Sequence, residues 1–481
     1  MSDNLKQKTV KGVLWSTLER FSVQGVQFII MIVMARLLTP HDYGLIGMLA
    51  IFLAVAQSLI DSGFSQALIR KQNRTEVDNS TVFYFNLVVS GALYAIFFIT
   101  APFVAEFYNT PELCLVMRIV CLGIIFNSLA VVQRALLTIN IDFKTQAKAS
   151  FISAIISGGV GISMAYTGFG VWALVCQQLI NLGMNTTLLW IFSKWRPIGM
   201  YSWKSFHELF SFGSKLLASG LLETLYRNIY TIVIGKIFSA SSLGHYTRAQ
   251  QFSEFPSSNV TGIIQRVTYP VLCEIQDDEV RLASVYRRFL KLSAFVVFPL
   301  MIGLSAVATP FIYIAIGSQW IFCSQILQIL CFSMMWYPIH AINLNLLQVR
   351  GRSDLFLRLE IIKKVTGVLV LVCTAPFGLI VMCYGQVFNS VLSLVINTYY
   401  TGKLINVGFL KQMKDLLPTI LLCVVMYVGI LMVNCLVAGN LQKLVVGILI
   451  GIIMYMSLAY IFKFSEFKEL VSLVSNKNRT R

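Results

Sequence analysis

Charged side chains are scarce in this sequence, and their scarcity excludes most soluble folds. Only 12% of the 481 residues are Asp, Glu, Lys or Arg, whereas a soluble domain carries roughly 25%. Hydrophobic residues make up 57%, the mean hydropathy is +0.75, and apolar runs recur from end to end. Because each membrane-spanning helix needs about 20 mostly apolar residues, this composition predicts a polytopic membrane protein.

Acidic residues are scarcer than basic ones, at 21 against 38, and the formal net charge is +17. Such an excess of positive charge can bind nucleic acid or an anionic membrane surface. The apolar composition favours a basic rim that faces membrane lipid. We therefore expect membrane lipid as a partner and no nucleic acid.

Signatures of catalysis are also missing. The sequence has no GxxxxGK[ST] motif, so nucleotide hydrolysis through a P-loop is not expected. Its ten cysteines form no C-x-x-C pair, and no metal-spaced cluster of His, Cys, Asp and Glu occurs. We expect no enzyme activity, no cofactor and no metal site.

Apolar segments predict an all-α chain with about fourteen transmembrane helices. They lie near 12–38, 44–69, 81–105, 113–137, 147–166, 170–193, 208–238, 244–272, 289–316, 320–348, 357–376, 378–404, 416–437 and 441–462. The first has no A-x-A-like cleavage site and is expected to be retained. The eighth is rich in polar residues, so it either lines a wet cavity, which we favour, or lies partly outside the membrane.

Positive charge alternates between the loops. Lys and Arg cluster around residues 70–74, 194–204, 281–291, 350–358 and 403–414. The loops in between, such as 39–43 and 239–243, contain neither. The positive-inside rule puts the basic loops and both termini in the cytoplasm.

A short stretch at the end of the first span is repeated. ARLLTPHDYG at 35–44 aligns without a gap with GKIFSASSLG at 235–244, an offset of 236 − 36 = 200 residues. Both copies read small residue, cation, two apolar residues, polar turn, glycine. Arg36 and Gly44 are therefore predicted to be equivalent to Lys236 and Gly244, as paired hinges. The alternative for the two cations is snorkelling to the membrane interface.

Each repeat contains six spans, and an even number gives both copies the same orientation in the membrane. We predict two six-helix lobes, 1–205 and 206–408, in a parallel pseudo-twofold repeat around a central cavity. A C-terminal helix pair and a basic cytoplasmic tail occupy 409–481. Such lobes are typical of transporters that open alternately to each side.

Motifs in both halves carry a family resemblance. They are LW at 14–15, ARLLTPHDYG at 35–44, DSGFSQALIR at 61–70, LGHYTRA at 243–249, VTYP at 267–270 and IGSQW at 316–320. In this order they resemble the bacterial polysaccharide transporter family of the multidrug/oligosaccharidyl-lipid/polysaccharide exporter superfamily. The branch they resemble most exports lipopolysaccharide, colanic acid and teichuronic acid.

The resemblance implies a two-lobed flippase in the bacterial cytoplasmic (inner) membrane. Its cargo would be a lipid-linked oligosaccharide, carried on undecaprenyl diphosphate and used for lipopolysaccharide, capsule or exopolysaccharide. Glycan polymerase and glycosyltransferase machinery would be its partners. The alternatives are a lipid II flippase, a multidrug-type cation antiporter, and a membrane glycan polymerase or ligase.

This cargo requires cations and polar groups within the membrane, where a charged side chain costs roughly 2.5–3.5 kcal/mol. The candidate cavity residues are Glu19, Arg20, Arg248, Glu254, Arg266 and His340. We expect Arg20 to contact phosphate or an acidic sugar, with a structural ion pair as the alternative. His340 fits sugar binding or a satisfied core histidine equally well. Asp61 fits a local cap or pair, with ion coupling as the alternative.

Overall fold

A computed structural model describes the protein at residues 24–61 and 63–476. Within these ranges the chain is helical and contains no strand, so the predicted all-α class is confirmed. Two candidate cavity residues, Glu19 and Arg20, lie outside the described residues.

The chain divides into two compact units, Met1–Gly244 and His245–Arg481. The first contains α1 (Gln24–Leu37), α2 (Pro40–Asp61), α3 (Phe64–Arg70), α4 (Glu76–Phe107), α5 (Glu112–Val120), α6 (Leu122–Ile139), α7 (Phe143–Tyr166), α8 (Val171–Phe192) and α9 (Trp203–Ile237). Helix α10 (Ala240–Glu274) begins in the first unit and continues into the second. The second contains α11 (Glu279–Ala306), α12 (Ala308–Ala315), α13 (Ile321–Met334), α14 (Tyr337–Val349), α15 (Ser353–Thr374), α16 (Leu379–Ile405), α17 (Phe409–Leu436), α18 (Asn440–Ile461) and α19 (Ser465–Asn476). The predicted lobe boundaries, after 205 and 408, stay a prediction.

Nine helical segments in the described part of the chain are long and apolar enough to cross a membrane. They are Pro40–Arg70, Glu76–Phe107, Glu112–Ile139, Phe143–Tyr166, Glu279–Ala306, Ser318–Val349, Leu379–Ile405, Phe409–Leu436 and Asn440–Ile461. Helices α8, α9, α10 and α15 each have at least 22 residues but are not among these nine. The multi-pass membrane protein is confirmed, and the number fourteen stays a prediction.

Aromatic and aliphatic side chains hold the first unit together. Phe64 of α3, Phe83 of α4, Val132 of α6 and Leu209 of α9 are buried in one cluster. Because lipid is as apolar as these side chains, close packing and interhelical hydrogen bonds stabilise helix association within a membrane. This cluster therefore packs the consecutive helices α3 and α4 against α6 and α9, which lie further along the chain.

A buried polar network joins α11, α14, α16 and α17 in the second unit. The Gln412 amide nitrogen lies 3.2 Å from the Tyr286 hydroxyl and 3.1 Å from both Asn343 Oδ1 and Thr401 Oγ1. Asn343 Nδ2 donates in return to Gln412 Oε1 at 3.1 Å. Since buried polar groups require partners, Gln412 anchors α17, the first of the appended helices, to the rest of this unit.

The basic loops of each unit meet at one end of it. In the first unit Lys71 Nζ lies 3.1 Å from Asp78 and 2.9 Å from Glu208. Burial acts to lower the pKa of Lys71, but its hydrogen bonds to Glu208 and Asp78 outweigh that effect, and the pKa is raised. In the second unit Arg288 pairs with Glu469 at 2.6 Å. The loops that share positive charge in the sequence are therefore neighbours within each unit.

Candidate functional site

The repeated stretch forms a capped helix start in its first copy. Helix α2 begins at Pro40, after Thr39. The Thr39 backbone N–H donates to Asp42 Oδ2 at 2.9 Å, and the Asp42 backbone N–H donates to the Thr39 hydroxyl at 3.3 Å. This reciprocal pair satisfies two N–H groups that a helix N-terminus leaves without intrahelical partners.

The second copy starts a helix in the same way. Helix α10 begins at Ala240, and the Ser242 N–H donates to the Ser239 hydroxyl at 3.1 Å. Thr39 and Ser239 stand 239 − 39 = 200 residues apart, which is the offset of the repeat. The polar turn in each copy is thus a helix cap, as its Thr and Ser residues favour.

The two caps touch each other within the first unit. A Cβ atom built on Gly44 would overlap the Ala240 carbonyl group, and one built on Gly244 would overlap the Pro40 carbonyl group. Each glycine therefore faces the first helical residue of the other copy. Such reciprocity is the mark of twofold symmetry, and here it relates two repeats of one chain. Glycine is required at both positions because the helix backbones cross at contact distance.

The repeat-related cations Arg36 and Lys236 are both exposed, at the equivalent ends of α1 and α9. Lys236 Nζ donates to the Phe107 carbonyl and lies 4.6 Å from the centroid of its ring. The Phe107 contact favours an anchoring role for Lys236 at the end of α4, and the paired hinge stays a prediction.

Asp61 belongs to a chain of polar side chains between α2 and α6. Gln57 Nε2 donates to Asp61 Oδ2 at 2.8 Å, and Asn127 Nδ2 donates to the Gln57 carbonyl oxygen. The Arg134 guanidinium interacts electrostatically with the Asp61 carboxylate. Asp61 therefore has a local hydrogen-bond partner, Gln57, and an oppositely charged neighbour on another helix, Arg134.

Sequence reasoning named Asp61 but missed its partners. Gln57 and Asp61 are four residues apart, and Asn127 and Arg134 are seven apart, so each pair lies on one helix face. Polar residues spaced by whole helical turns inside apolar segments could have indicated a polar face on each helix. Only the tertiary structure shows that the polar face of α2 packs against that of α6.

His340 lies in the second unit with both ring nitrogens engaged. Asn397 Nδ2 lies 3.2 Å from Nδ1, and Ser390 Oγ lies 3.2 Å from Nε2. The Asn397 amide donates to Nδ1, so the proton is assigned to Nε2, which donates to Ser390. Because α16 satisfies the whole imidazole, this geometry favours the core histidine over the sugar ligand.

The candidate residues of α10 lie along the helix and not in one cluster. Glu254 accepts from Gln250 Nε2 at 2.7 Å, Arg248 is half-buried, and Arg266 is exposed. Arg248 and Arg266 are 18 residues apart on one helix, which places them about 27 Å apart at 1.5 Å per residue. The structure therefore does not bring Arg248 and Arg266 to a common site. Across residues 24–61 and 63–476, no group of three metal-ligating side chains occurs.

A family described as "Polysaccharide biosynthesis protein" matches residues 33–325, more than half of the sequence. The chain belongs to this family. The resemblance stated from the motifs is thereby confirmed.

Curated relatives agree with the family. The chain is 25% identical to the teichuronic acid biosynthesis protein TuaB of Bacillus subtilis over 73% of each chain. It is 24% identical to the lipopolysaccharide biosynthesis protein WzxC of Escherichia coli over 81% of each. It is 26% identical to the succinoglycan biosynthesis transport protein ExoT of Rhizobium meliloti, over 69% of this chain and 68% of ExoT.

Solved structures show the fold. The lipid II flippase MurJ, in an inward closed conformation, superposes with a TM-score of 0.76 at 16% identity, over 95% of this chain and all of MurJ. An inward-facing multidrug resistance MATE transporter of the MOP superfamily superposes with a TM-score of 0.61 at 14% identity, over 80% of this chain and 96% of that one. The chain has the polytopic transporter fold that these two proteins share.

Proposed function

We propose that this protein is a flippase for undecaprenyl-diphosphate-linked oligosaccharide repeat units in the biosynthesis of a cell-surface polysaccharide. The observation that carries the proposal is the set of relatives named for biosynthesis or transport of teichuronic acid, lipopolysaccharide and succinoglycan, which align with 69% to 81% of the chain. Transport is the expected role because the fold is that of polytopic transporters.

The polar head of such a cargo must cross hydrocarbon about 30 Å thick while its lipid tail stays there. We propose that this path is lined by hydrogen-bonding side chains, with the Asp61–Gln57–Asn127 series and the Gln250–Glu254 pair as candidates. Arg20 and Arg248 are proposed to contact the diphosphate, since guanidinium groups bind phosphate oxygens in pairs.

The two reciprocal caps are proposed as the pivot of alternating access. A Thr or Ser side chain caps the start of each helix, and we propose that α2 and α10 rotate about the Gly44–Gly244 crossing with these caps intact. The predicted lobes, 1–205 and 206–408, would be the moving bodies. The basic ends and both termini are proposed to face the cytoplasm, and the membrane is proposed to be the bacterial inner membrane. Glycan polymerase and glycosyltransferases are the proposed partners.

The test is flipping in vesicles that contain the purified protein. A polyprenyl-diphosphate oligosaccharide with a fluorescent sugar is incorporated into both leaflets, and a membrane-impermeant quencher is added outside. We expect quenching to rise from about half to nearly complete. Parallel vesicles with labelled lipid II, or with a cationic drug and an imposed ion gradient, distinguish the two transporter alternatives. Protein-dependent movement of only lipid II or only the drug would overturn the proposal.

A further inference from the structure

The second unit contains a charged cleft that the proposed transport cycle does not use. Its volume is about 910 Å³, and its walls come from α11, α16, α17 and α19. The ionisable residues that line it are Arg287, Arg288, Lys291, Lys403, Lys411, Glu279, Glu466 and Glu469. Five cations against three carboxylates leave an excess of 5 − 3 = 2 positive charges.

Neighbouring groups do not cancel this excess. Arg287 and Lys291 share the buried carboxylate of Asp415, at 2.6 and 3.4 Å. Glu469 is occupied by Arg288, and Glu279 is occupied by Arg350, a cation just outside the cleft. Counting Asp415 and Arg350 adds one charge of each sign, so the cleft keeps two positive charges.

Lys403 and Lys411 carry the uncompensated charge. Neither forms an ion pair within the described part of the chain. Lys403 Nζ lies 4.6 Å from the centroid of the Tyr399 ring, and Lys411 Nζ donates to the Asn406 carbonyl at 2.8 Å. Both lysines are exposed. Lys411 lies in the first turn of α17, where the helix dipole disfavours a cation, so local helix stability does not explain it.

The cleft lies where the charged end of the unit meets its apolar surface. Leu410, next to Lys411, is 82% exposed, and Leu417, two turns further along α17, is 51% exposed. Exposed leucines on a membrane helix face acyl chains. A ligand in this cleft would thus have its anionic group at the two lysines and its apolar part along α17, which is the arrangement of a phospholipid.

We propose that this cleft binds the phosphate of an anionic phospholipid, with Lys403 and Lys411 as its direct contacts. Arg287 and Lys291 would add positive potential from the cleft wall while remaining bound to Asp415. The cleft contains none of the residues proposed to contact the cargo, and the proposal does not depend on that cargo. The site would join α16 and α17 through a lipid at the basic rim of the second unit.

The experiment measures lipid binding to the purified full chain by native mass spectrometry, with phosphatidylglycerol against phosphatidylcholine. Each lysine near a membrane surface contributes about 1 kcal/mol toward an anionic lipid. Phosphatidylglycerol affinity should therefore fall about 5-fold for Lys403→Gln or Lys411→Gln and roughly 30-fold for the double variant. The matched control is Lys414→Gln with Lys468→Gln, which removes the same charge from exposed lysines outside the cleft.

The double variant Lys403→Arg with Lys411→Arg keeps the charge and should bind within about 2-fold of the parent, which separates loss of the site from misfolding. Equal loss of binding in the control pair would overturn the proposal, as would equal affinity for phosphatidylcholine. Displacement of phosphatidylglycerol by millimolar inorganic phosphate would assign the site to a free anion and would also overturn it.

Discussion

Adding one methyl group at Gly44 tests the crossing between the two repeated turns. A Cβ there meets backbone atoms of Ala240, which cannot turn aside as a flexible side chain would. The helices must separate, and overpacking of this kind costs typically 1–3 kcal/mol. Because the obstacle is backbone, we expect Gly44→Ala to destabilise the protein by about 2–3 kcal/mol. By reciprocity Gly244→Ala should cost a similar amount.

The assay is reversible unfolding in mixed micelles, followed by the helical circular dichroism signal. Gly91→Ala is the matched control, since a Cβ on that helical glycine meets nothing within 4 Å. It should leave stability unchanged or raise it by up to about 1 kcal/mol, because alanine favours helix. The double variant should cost less than the sum of the two singles, since separating the helices once accommodates both methyl groups. Equal stability of Gly44→Ala and Gly91→Ala would refute the close crossing.

Three further substitutions address other parts of the protein. Gln412→Leu removes the hydrogen bonds that Gln412 forms with Tyr286, Asn343 and Thr401, so we expect a loss of about 1–3 kcal/mol and faster proteolysis near the start of α17. Unchanged proteolysis would contradict the anchoring role. His340→Leu should lower stability by a similar amount and keep the flipping rate per folded molecule within about 3-fold of the parent. A loss of about 100-fold in the flipping rate, near 2.7 kcal/mol, would instead identify His340 as a cargo ligand. Arg20→Ala should lower export more than Arg20→Lys at equal expression, and full export by Arg20→Ala would remove it as the leading cargo contact.

The sequence predicted the helical class and the equivalence of the two caps, because each depends on composition or on short-range pattern. The offset of 200 residues identified Gly44 and Gly244 as equivalent. The offset did not indicate that Gly44 and Gly244 each face a residue of the other copy, because a sequence repeat shows which positions are equivalent and not which positions are in contact.

Long-range side-chain pairing was also beyond the sequence. The Gln57–Asn127 contact joins residues 70 positions apart. The two cleft lysines come from α16 and α17, and α11 forms another wall of the same cleft. Helix α10 has a composition too polar for a simple span, yet it is one helix of 35 residues that includes Pro256 and Pro270. Tolerance of those prolines depends on neighbouring groups that re-satisfy the backbone, and a single sequence does not identify such groups.

Flipping of a labelled polyprenyl-diphosphate oligosaccharide by the purified protein in vesicles tests the central claim most directly. We predict that a membrane-impermeant quencher reaches nearly all of the labelled sugar when the protein is present and only about half of it in protein-free vesicles. The same vesicles must remain sealed to a soluble dye. Quenching that stays at half, with folded and correctly inserted protein, would contradict the proposed function.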